Sequence, residues 1–231
     1  MSQLAAELPD GRQISIGLDA RDRLSCGVIV LEPVKVFDNP AVFEATNRLA
    51  VDLKEIFEGC LPSEIAGLAE ARNLYKSFSM DPSRHRPSSE ALLRRVMKGK
   101  DLYRINNAVD SCNLACLTFL LPVGMYDLDL VVGDISLRSG LPDESYPGIR
   151  KGDVHLSGRL GLFDQDGPFG SPTSDSARTC VSEKTKRILA VIMATNSFPE
   201  NKMEAALSTF GYLFGKYCNS SDKFRAILGG A

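Results

Sequence analysis

The chain has 231 residues, 44% of them apolar and 24% charged, a composition typical of a globular protein with a substantial core. No apolar run reaches the roughly 18 residues of a membrane-spanning helix, and the first residues lack the pattern of a secretory signal. The net charge of −2 argues against a protein that holds long nucleic acid through its overall charge, so we expect neither DNA nor a membrane as partner.

Two strands and a helix are predicted at the start of the chain. Residues 14–20 and 26–37 are rich in β-branched side chains and predict strands. Residues 40–59 begin with Pro40 and carry apolar residues at helical spacing, which predicts an amphipathic helix.

Further helices are predicted over residues 62–78, 87–99 and 103–121. Ser63 is the expected N-cap of the first of them. The last is entered through Asn106 and Asn107 and is otherwise apolar, so we expect it to be mostly buried.

The pattern of apolar and polar residues changes after residue 122. Short apolar runs in 126–138 and 151–164 predict strands joined by loops, and the Ser- and Pro-rich stretch 167–180 predicts a loop. Residues 187–195 are continuously apolar and predict a central strand buried on both faces. Residues 199–218 predict a closing helix.

This order of elements predicts a mixed α/β (α+β) fold, in which a mostly buried β-sheet is flanked by helices. We expect one domain over residues 10–220 with its core over 80–198. Residues 1–9 and 221–231 are expected to be flexible tails.

The cysteines and histidines do not form a metal motif. Six cysteines are scattered along the chain, and we expect free thiols in a reducing cytoplasm. Cys112 and Cys116 have the spacing of helical zinc ligands, but His85 and His155 lie far from them in sequence. We therefore expect no metal and no cofactor, with His85 in a loop and His155 in a strand.

Three polar clusters are candidate ligand sites. The first, residues 84–90, includes Ser88 and Glu90. It is either a helix cap or a site where Arg and Ser groups at a helix N-terminus bind a phosphate or carboxylate. The second places polar side chains in an otherwise apolar segment, where they satisfy a turn or face a pocket. Its members are Asn106, Asn107, Asp110 and Asn113.

The third cluster lies within 167–178. It is either a turn pinned by an Asp175–Arg178 contact or the lining of a polar pocket. Its small and polar members are Gly167, Gly170, Ser171, Thr173, Ser174, Asp175 and Arg178. We expect residues 106–113 and 167–178 to face one cavity.

Positive charge is concentrated between Arg84 and Arg104. This stretch contains seven basic and two acidic residues, which gives a net charge of +5. This stretch is either a solvated helix face or a phosphate-binding patch. The candidates for contact with nucleic acid are Arg86, Arg94, Arg95, Lys98 and Arg104.

Several of these segments resemble one family. "INNAVDSCNLACLTFLLPVGMYDLD" (105–129), "FDQDGPFG" (163–170) and "TKRILAVIMA" (185–194) are similar to the editing domain of the phenylalanyl-tRNA synthetase beta subunit, built from its B-three and B-four modules. The other modules of that subunit have no counterpart here. The resemblance is to a free-standing member of the domain family, and it implies the fold expected above.

The resemblance also implies hydrolysis of a mischarged aminoacyl-tRNA. The family's motif asparagine falls on Asn113, and its turn glycines fall on Gly167 and Gly170. The family's histidine falls on Gly124, and its glutamate falls on Val191. The residues that the site would use therefore differ from the family's set.

Our leading hypothesis is a trans-editing deacylase, for which Asn113, Ser171, Thr173, Ser174 and Asp175 are the candidate catalytic residues. The candidate substrate-binding residues are Asn106, Asn107, Gly167, Gly170, Arg178, Ser88 and Glu90. The alternatives are a non-catalytic module that binds tRNA or an amino acid, and a protein that docks on a synthetase or ribosome. The sequence predicts neither the amino acid nor the oligomeric state.

Overall fold

Five helices and twelve strands form the part of the chain that the computed structural model describes, residues 3–149 and 152–230. The helices are α1 (Pro40–Ile56), α2 (Ala66–Ser77), α3 (Ser88–Met97), α4 (Asn107–Phe119) and α5 (Glu200–Cys218). The strands are β1 (Ala5–Glu7), β2 (Gln13–Ile16), β3 (Ser25–Leu31), β4 (Val123–Asp127), β5 (Ile135–Ser139), β6 (Ser145–Pro147), β7 (Asp153–His155), β8 (Leu160–Asp164), β9 (Gly167–Ser171), β10 (Ser174–Asp175), β11 (Ile188–Ala194) and β12 (Asp222–Gly229).

The strands form two principal sheets. One has four strands in the order β12-β3-β11-β4, all antiparallel. The other has six strands in the order β1-β2-β5-β8-β9-β10, in which only the β2–β5 pair is parallel among the described strands. β6 and β7 make a separate two-stranded hairpin.

The four-stranded sheet lies between two apolar layers. One face of β11, with Ala190 and Ile192, packs against α4 and α5. The opposite face, with Val191 and Met193, packs against the six-stranded sheet. A third apolar cluster lies among α1, α2, α3 and α4. β11 is buried along its whole length because it has a layer on each side, which confirms the predicted central strand.

The predicted helices are confirmed, with shorter ends. α1 begins at Pro40, whose missing N–H suits a helix start, and Asn39 accepts a hydrogen bond from the Ala41 N–H. α4 is capped by Asn106, whose side chain accepts from the Val109 N–H at 2.9 Å. The prediction of Ser63 as a cap is wrong, because α2 starts after Ile65 without a side-chain cap.

Two predictions of irregular structure also differ from what is observed. The predicted loop 167–180 contains the β9–β10 hairpin. The predicted tails contain strands β1 and β12, and β12 pairs with β3 over seven positions. β12 is ordered because Phe224, Ala226 and Leu228 pack into the space between the sheets.

Within residues 3–149 and 152–230, no helix is long and apolar enough to cross a membrane. The same residues contain no group of three or more His, Cys, Asp or Glu side chains placed to hold a metal ion.

Candidate functional site

The β9–β10 hairpin ends in a turn built around one serine hydroxyl. The Ser171 Oγ accepts a hydrogen bond from the Tyr146 hydroxyl at 2.8 Å. It also accepts from the N–H groups of Thr173 and Ser174, each at 3.3 Å. Ser171 is buried, so its hydroxyl stabilises the turn from inside.

Helix α2 holds the same turn from the other side. The Tyr75 hydroxyl donates to the Pro172 carbonyl at 2.7 Å and accepts from the Thr173 hydroxyl at 3.2 Å. Tyr75 is fully buried, and its burial raises the pKa of its hydroxyl, so it acts as a neutral donor. The turn is fixed by contacts from α2 and from β6, two elements distant in sequence.

A cavity of about 370 Å³ opens beside this turn. It lies within the size range of small-molecule sites. Apolar side chains, including Met80, Leu156 and Leu160, form part of its wall. Its polar lining comes from His85, Asp153, His155, Arg159, Ser171, Thr173 and Ser174. We call it the histidine pocket.

Both histidines of the chain lie in this pocket. His155 ends β7 and is exposed, and His85 precedes α3 and is half-buried, in the strand and loop predicted for them. Burial and the charge of Arg159 lower the pKa of His85, which favours its neutral form. The two histidines are 70 positions apart and no spacing motif relates them, so the sequence does not predict that they line one pocket.

Asp175, at the end of β10, is half-buried. Burial raises its pKa to about 7, although the Met125 N–H and the Tyr126 hydroxyl act in the opposite direction. The expected Asp175–Arg178 contact is not formed. Arg178 instead makes a bidentate pair with Asp164, at 2.9 and 2.8 Å, so its role in substrate binding or in orienting Asp175 is not supported.

The asparagine segment does not line the histidine pocket. Asn107 is fully buried, accepts from the Phe37 N–H at 2.8 Å, and donates to the carbonyls of Lys35 and Tyr217 at 2.8 and 2.7 Å. With Asn106 capping α4, the two predicted substrate-binding asparagines have structural roles. The prediction that residues 106–113 and 167–178 face one cavity is therefore wrong for Asn106 and Asn107.

Two other residues of this segment have different surroundings. One oxygen of Asp110 accepts from the Ile105 N–H at 3.1 Å, and the other is buried without a partner; burial raises its pKa to about 6. Asn113 is half-buried on α4. Within the described chain its side chain makes no hydrogen bond, and it stays a predicted catalytic residue.

The positions that correspond to the family's histidine and glutamate lie in a packed interior. Gly124 and Val191 are paired across β4 and β11, on the face that packs against the six-stranded sheet. The Tyr126 ring covers Gly124: a Cβ at that position would overlap the Tyr126 hydroxyl and lie 2.7 Å from Cζ. Val191 is fully buried. No space is left for a larger side chain at either position.

The two turn glycines have separate structural reasons. Gly170 also lies under Tyr126, and a Cβ there would overlap the same hydroxyl. Gly167 has a φ of +111°, a conformation that favours glycine. Tyr126 completes this packing by meeting Phe169 edge-on, with ring centroids 4.8 Å apart. We call Gly124, Tyr126, Phe169, Gly170 and Val191 the tyrosine plug.

The start of α3 contains a buried ion-pair cluster. Glu90 is fully buried and accepts from Arg72 at 2.9 Å and from Arg94 at 2.7 Å. These two arginines give the Glu90 carboxylate a structural role, and substrate binding by Glu90 stays a prediction. The Ser88 hydroxyl is buried without a hydrogen-bond partner and lines neither the histidine pocket nor the groove described next.

A basic groove of about 360 Å³ follows α3. The Arg95 guanidinium stacks over the Tyr103 ring at 4.1 Å from its centroid, and Tyr103 is 62% exposed. Arg104 lies outside the lining and pairs with Asp38 at 2.9 Å, and its contact with nucleic acid stays a prediction. The charged and aromatic lining consists of Arg86, Arg94, Arg95, Lys98, Lys100 and Tyr103. We call this surface the α3 groove.

The α3 groove and the histidine pocket take lining residues from consecutive positions just before α3. His85 lines the pocket, and the next residue, Arg86, lines the groove. A cationic groove with an exposed aromatic ring is typical of surfaces that bind single-stranded nucleic acid. The histidine pocket offers imidazole, hydroxyl and guanidinium groups.

Comparison with known proteins gave two findings. A model of the B3/4 domain family matches residues 70–217. An N-terminal fragment of the phenylalanyl-tRNA synthetase beta subunit from Pyrococcus horikoshii is similar in structure, with a TM-score of 0.49 and 11% identity over 93% of this chain. This chain covers 53% of that fragment, about half its length. No curated protein matched. Since the family model matches more than half of the sequence, the chain belongs to the B3/4 domain family.

Proposed function

We propose that the protein binds the aminoacylated 3′ end of a tRNA and hydrolyses the ester in trans, so that a mischarged tRNA is cleared. The observation that carries the proposal is that two consecutive residues, His85 and Arg86, line the histidine pocket and the α3 groove respectively. A strand whose phosphates and bases lie along the groove would present its end to the pocket. Membership of the B3/4 family supports a tRNA-related role.

In this proposal the aminoacyl ester is bound beside the turn of the β9–β10 hairpin. Hydrolysis of an ester needs an activated water and donors for the oxyanion that develops on the carbonyl. The hydroxyls of Thr173 and Ser174 line the pocket and make only long hydrogen bonds, at 3.2 and 3.4 Å. They can rotate toward a substrate. Asp175 follows directly and holds a proton up to a pH of about 7.

In the α3 groove, the tRNA strand is held by charge and by stacking. Arg95, Lys98 and Lys100 neutralise phosphates, and Tyr103 offers a ring on which a base can stack. Arg94 contributes less to phosphate binding, because its guanidinium already binds Glu90. The six cysteines are all free thiols, which agrees with action on tRNA in the cytoplasm.

The experiment is a deacylation assay with a panel of mischarged tRNAs. At least one ester is expected to be cleared more than about tenfold faster than it hydrolyses spontaneously. Combining Thr173→Ala with Ser174→Ala should lower kcat, Lys98→Ala should raise KM, and Asn113→Ala tests the remaining asparagine. Arg21→Ala is the matched control, since Arg21 is exposed, pairs with Asp22 and lies outside both linings. If every ester decays at its spontaneous rate, the hydrolase proposal is wrong.

One observation favours a second function, a non-catalytic module that binds tRNA or an amino acid. The two family positions that the resemblance assigns to the site, Gly124 and Val191, belong to the tyrosine plug and are closed to substrate. A binding module would be stabilised by uncharged tRNA in a thermal-shift experiment without turnover of any ester. Stabilisation together with turnover would favour the hydrolase.

A further inference from the structure

The histidine pocket combines features that the assigned residues of the hairpin do not provide. It holds the only two imidazoles of the chain. It faces the turn that offers the Thr173 and Ser174 hydroxyls, and its lining residue His85 directly precedes Arg86 of the α3 groove. At about 370 Å³ it can take a group of the size of an amino acid joined to a ribose. The tyrosine plug, in contrast, has no room for substrate.

We propose that the histidine pocket is the reacting centre, that His85 is its general base, and that Arg159 is its cation for the developing oxyanion. This inference rests on the proposed hydrolase function and relocates its chemistry from the family positions to His85, His155 and Arg159.

The surroundings of His85 suit the role of a base. The charged groups that act on it are Arg84 and Asp81 from its own loop and Arg159 from the segment after β7; Asp153 and His155 share the pocket. Arg159 is half-buried and lowers the pKa of the imidazole together with burial, while Asp81 acts in the opposite direction. A neutral imidazole at neutral pH can accept a proton from water.

The reaction balances without a further reactant. The His85 imidazole takes one proton from a water molecule as the water oxygen bonds to the ester carbonyl carbon. The negative charge that develops on the carbonyl oxygen is met by Arg159 and the turn hydroxyls. The bond from the carbonyl carbon to the ribose oxygen then breaks, and that oxygen takes the proton back from the imidazolium. The products are the free amino acid and the terminal ribose hydroxyl.

The test uses the two imidazoles as direct reporters. Because the chain has only two histidines, a two-dimensional NMR spectrum of the imidazoles contains two sets of signals, assigned with His155→Gln. Puromycin, an aminoacyl-nucleoside joined by an amide, serves as a probe that the ester reaction does not consume. Both sets of imidazole signals should shift as puromycin is added, and the shifts should level off at high puromycin concentration. Arg159→Gln should raise the pKa of His85, because it removes the positive charge that lowers it.

The kinetic arm uses the full chain and the best mischarged tRNA. His85→Gln should lower kcat by about 100-fold with KM little changed, and the acid limb of the pH profile should follow the His85 pKa measured by NMR. Arg21→Gln should leave both constants unchanged. If His85→Gln does not fold, the wild-type pH profile and the Arg159→Gln titration still test the role.

The outcomes separate this inference from the proposed function. Ester hydrolysis that His85→Gln leaves at the wild-type rate overturns the inference and leaves the hydrolase proposal standing. Saturable shifts of both imidazoles without hydrolysis support the pocket as the binding site but overturn the base role of His85. The absence of both hydrolysis and imidazole shifts overturns both proposals.

Discussion

The tyrosine plug and the histidine pocket use neighbouring residues of the same β9–β10 hairpin, yet one is closed and the other is open. In the plug, the Tyr126 ring fills the space over Gly124 and Gly170, and Val191 is buried beside it. In the pocket, the hydroxyls of Thr173 and Ser174 face a cavity. The comparison teaches that this fold has open space beside the hairpin turn and none over Gly124 and Gly170.

The largest expected effect comes from opening the plug. Gly124→His, which restores the residue type of the family, should destabilise the protein by more than about 3 kcal/mol, because its Cβ would overlap the Tyr126 hydroxyl. Chemical denaturation measures the change. Tyr126→Phe is the control and should cost less than Gly124→His, because it removes one hydroxyl and keeps the ring that packs over Gly124. A fully stable Gly124→His variant would show that the interior is not tightly packed.

The second prediction separates a structural asparagine from a functional one. Asn107→Ala should lower the free energy of unfolding by about 3 kcal/mol, because it leaves the Phe37 N–H and two carbonyls without their partner. Asn113→Ala is the matched change on the same helix and should cost less than about 1 kcal/mol, since its side chain makes no hydrogen bond within the described chain. Equal losses in thermal denaturation would contradict the distinction.

The third prediction concerns Asp175, which lies between the two regions. Its pKa is about 7 in the folded protein and near 3.8 ordinarily, so between these values the folded state holds a proton that the unfolded state has released. Stability from this group therefore falls as pH rises from about 4 to 7. Asp175→Asn should remove that slope and stabilise the protein by roughly 2 kcal/mol at pH 8, with no gain at pH 3.5.

Denaturation curves of the wild type and Asp175→Asn across this pH range provide the measurement. Asp134→Asn is the control, because Asp134 is exposed and accepts one hydrogen bond from the Gln13 N–H. A difference between wild type and Asp175→Asn that stays constant from pH 4 to 8 would contradict the raised pKa.

The smallest expected effects come from substitutions in the α3 groove. Lys98→Ala should weaken the binding of tRNA by a few-fold and lower the slope of log affinity against log salt by about 1, as expected for one lost phosphate contact. Filter binding at several salt concentrations measures both quantities. Tyr103→Ala should weaken binding without changing the salt slope, because stacking releases no counterions. Identical slopes for wild type and Lys98→Ala would remove Lys98 from the interface.

The sequence predicted the helices well because their apolar spacing is local. The start of α1 at Pro40 and the burial of β11 both follow from residues within the element. The terminal strand β12 was missed although Phe224, Ala226 and Leu228 alternate as a half-buried strand requires. Polar residues at 219–223 precede or begin the strand, and its pairing partner β3 lies almost 200 positions earlier, so no local pattern indicates the pairing.

The candidate site was predictable only in part. The turn residues Ser171, Thr173 and Ser174 were found because several small polar side chains occur together. The approach of His85 and His155 to that turn depends on how the β6–β7 hairpin folds back, which no local pattern records. Asn107 was misjudged for a related reason: its partners Lys35 and Tyr217 are 72 and 110 positions away.

Helix α2 carries one further consequence. Tyr75 holds the Pro172 turn, and Arg72, less than one helical turn earlier, holds Glu90 at the start of α3. Helix α2 therefore holds both the turn beside the histidine pocket and the start of α3, the helix of the α3 groove. A displacement of α3 would therefore either break the Arg72–Glu90 pair or shift α2, and a shift of α2 would move the Pro172 turn.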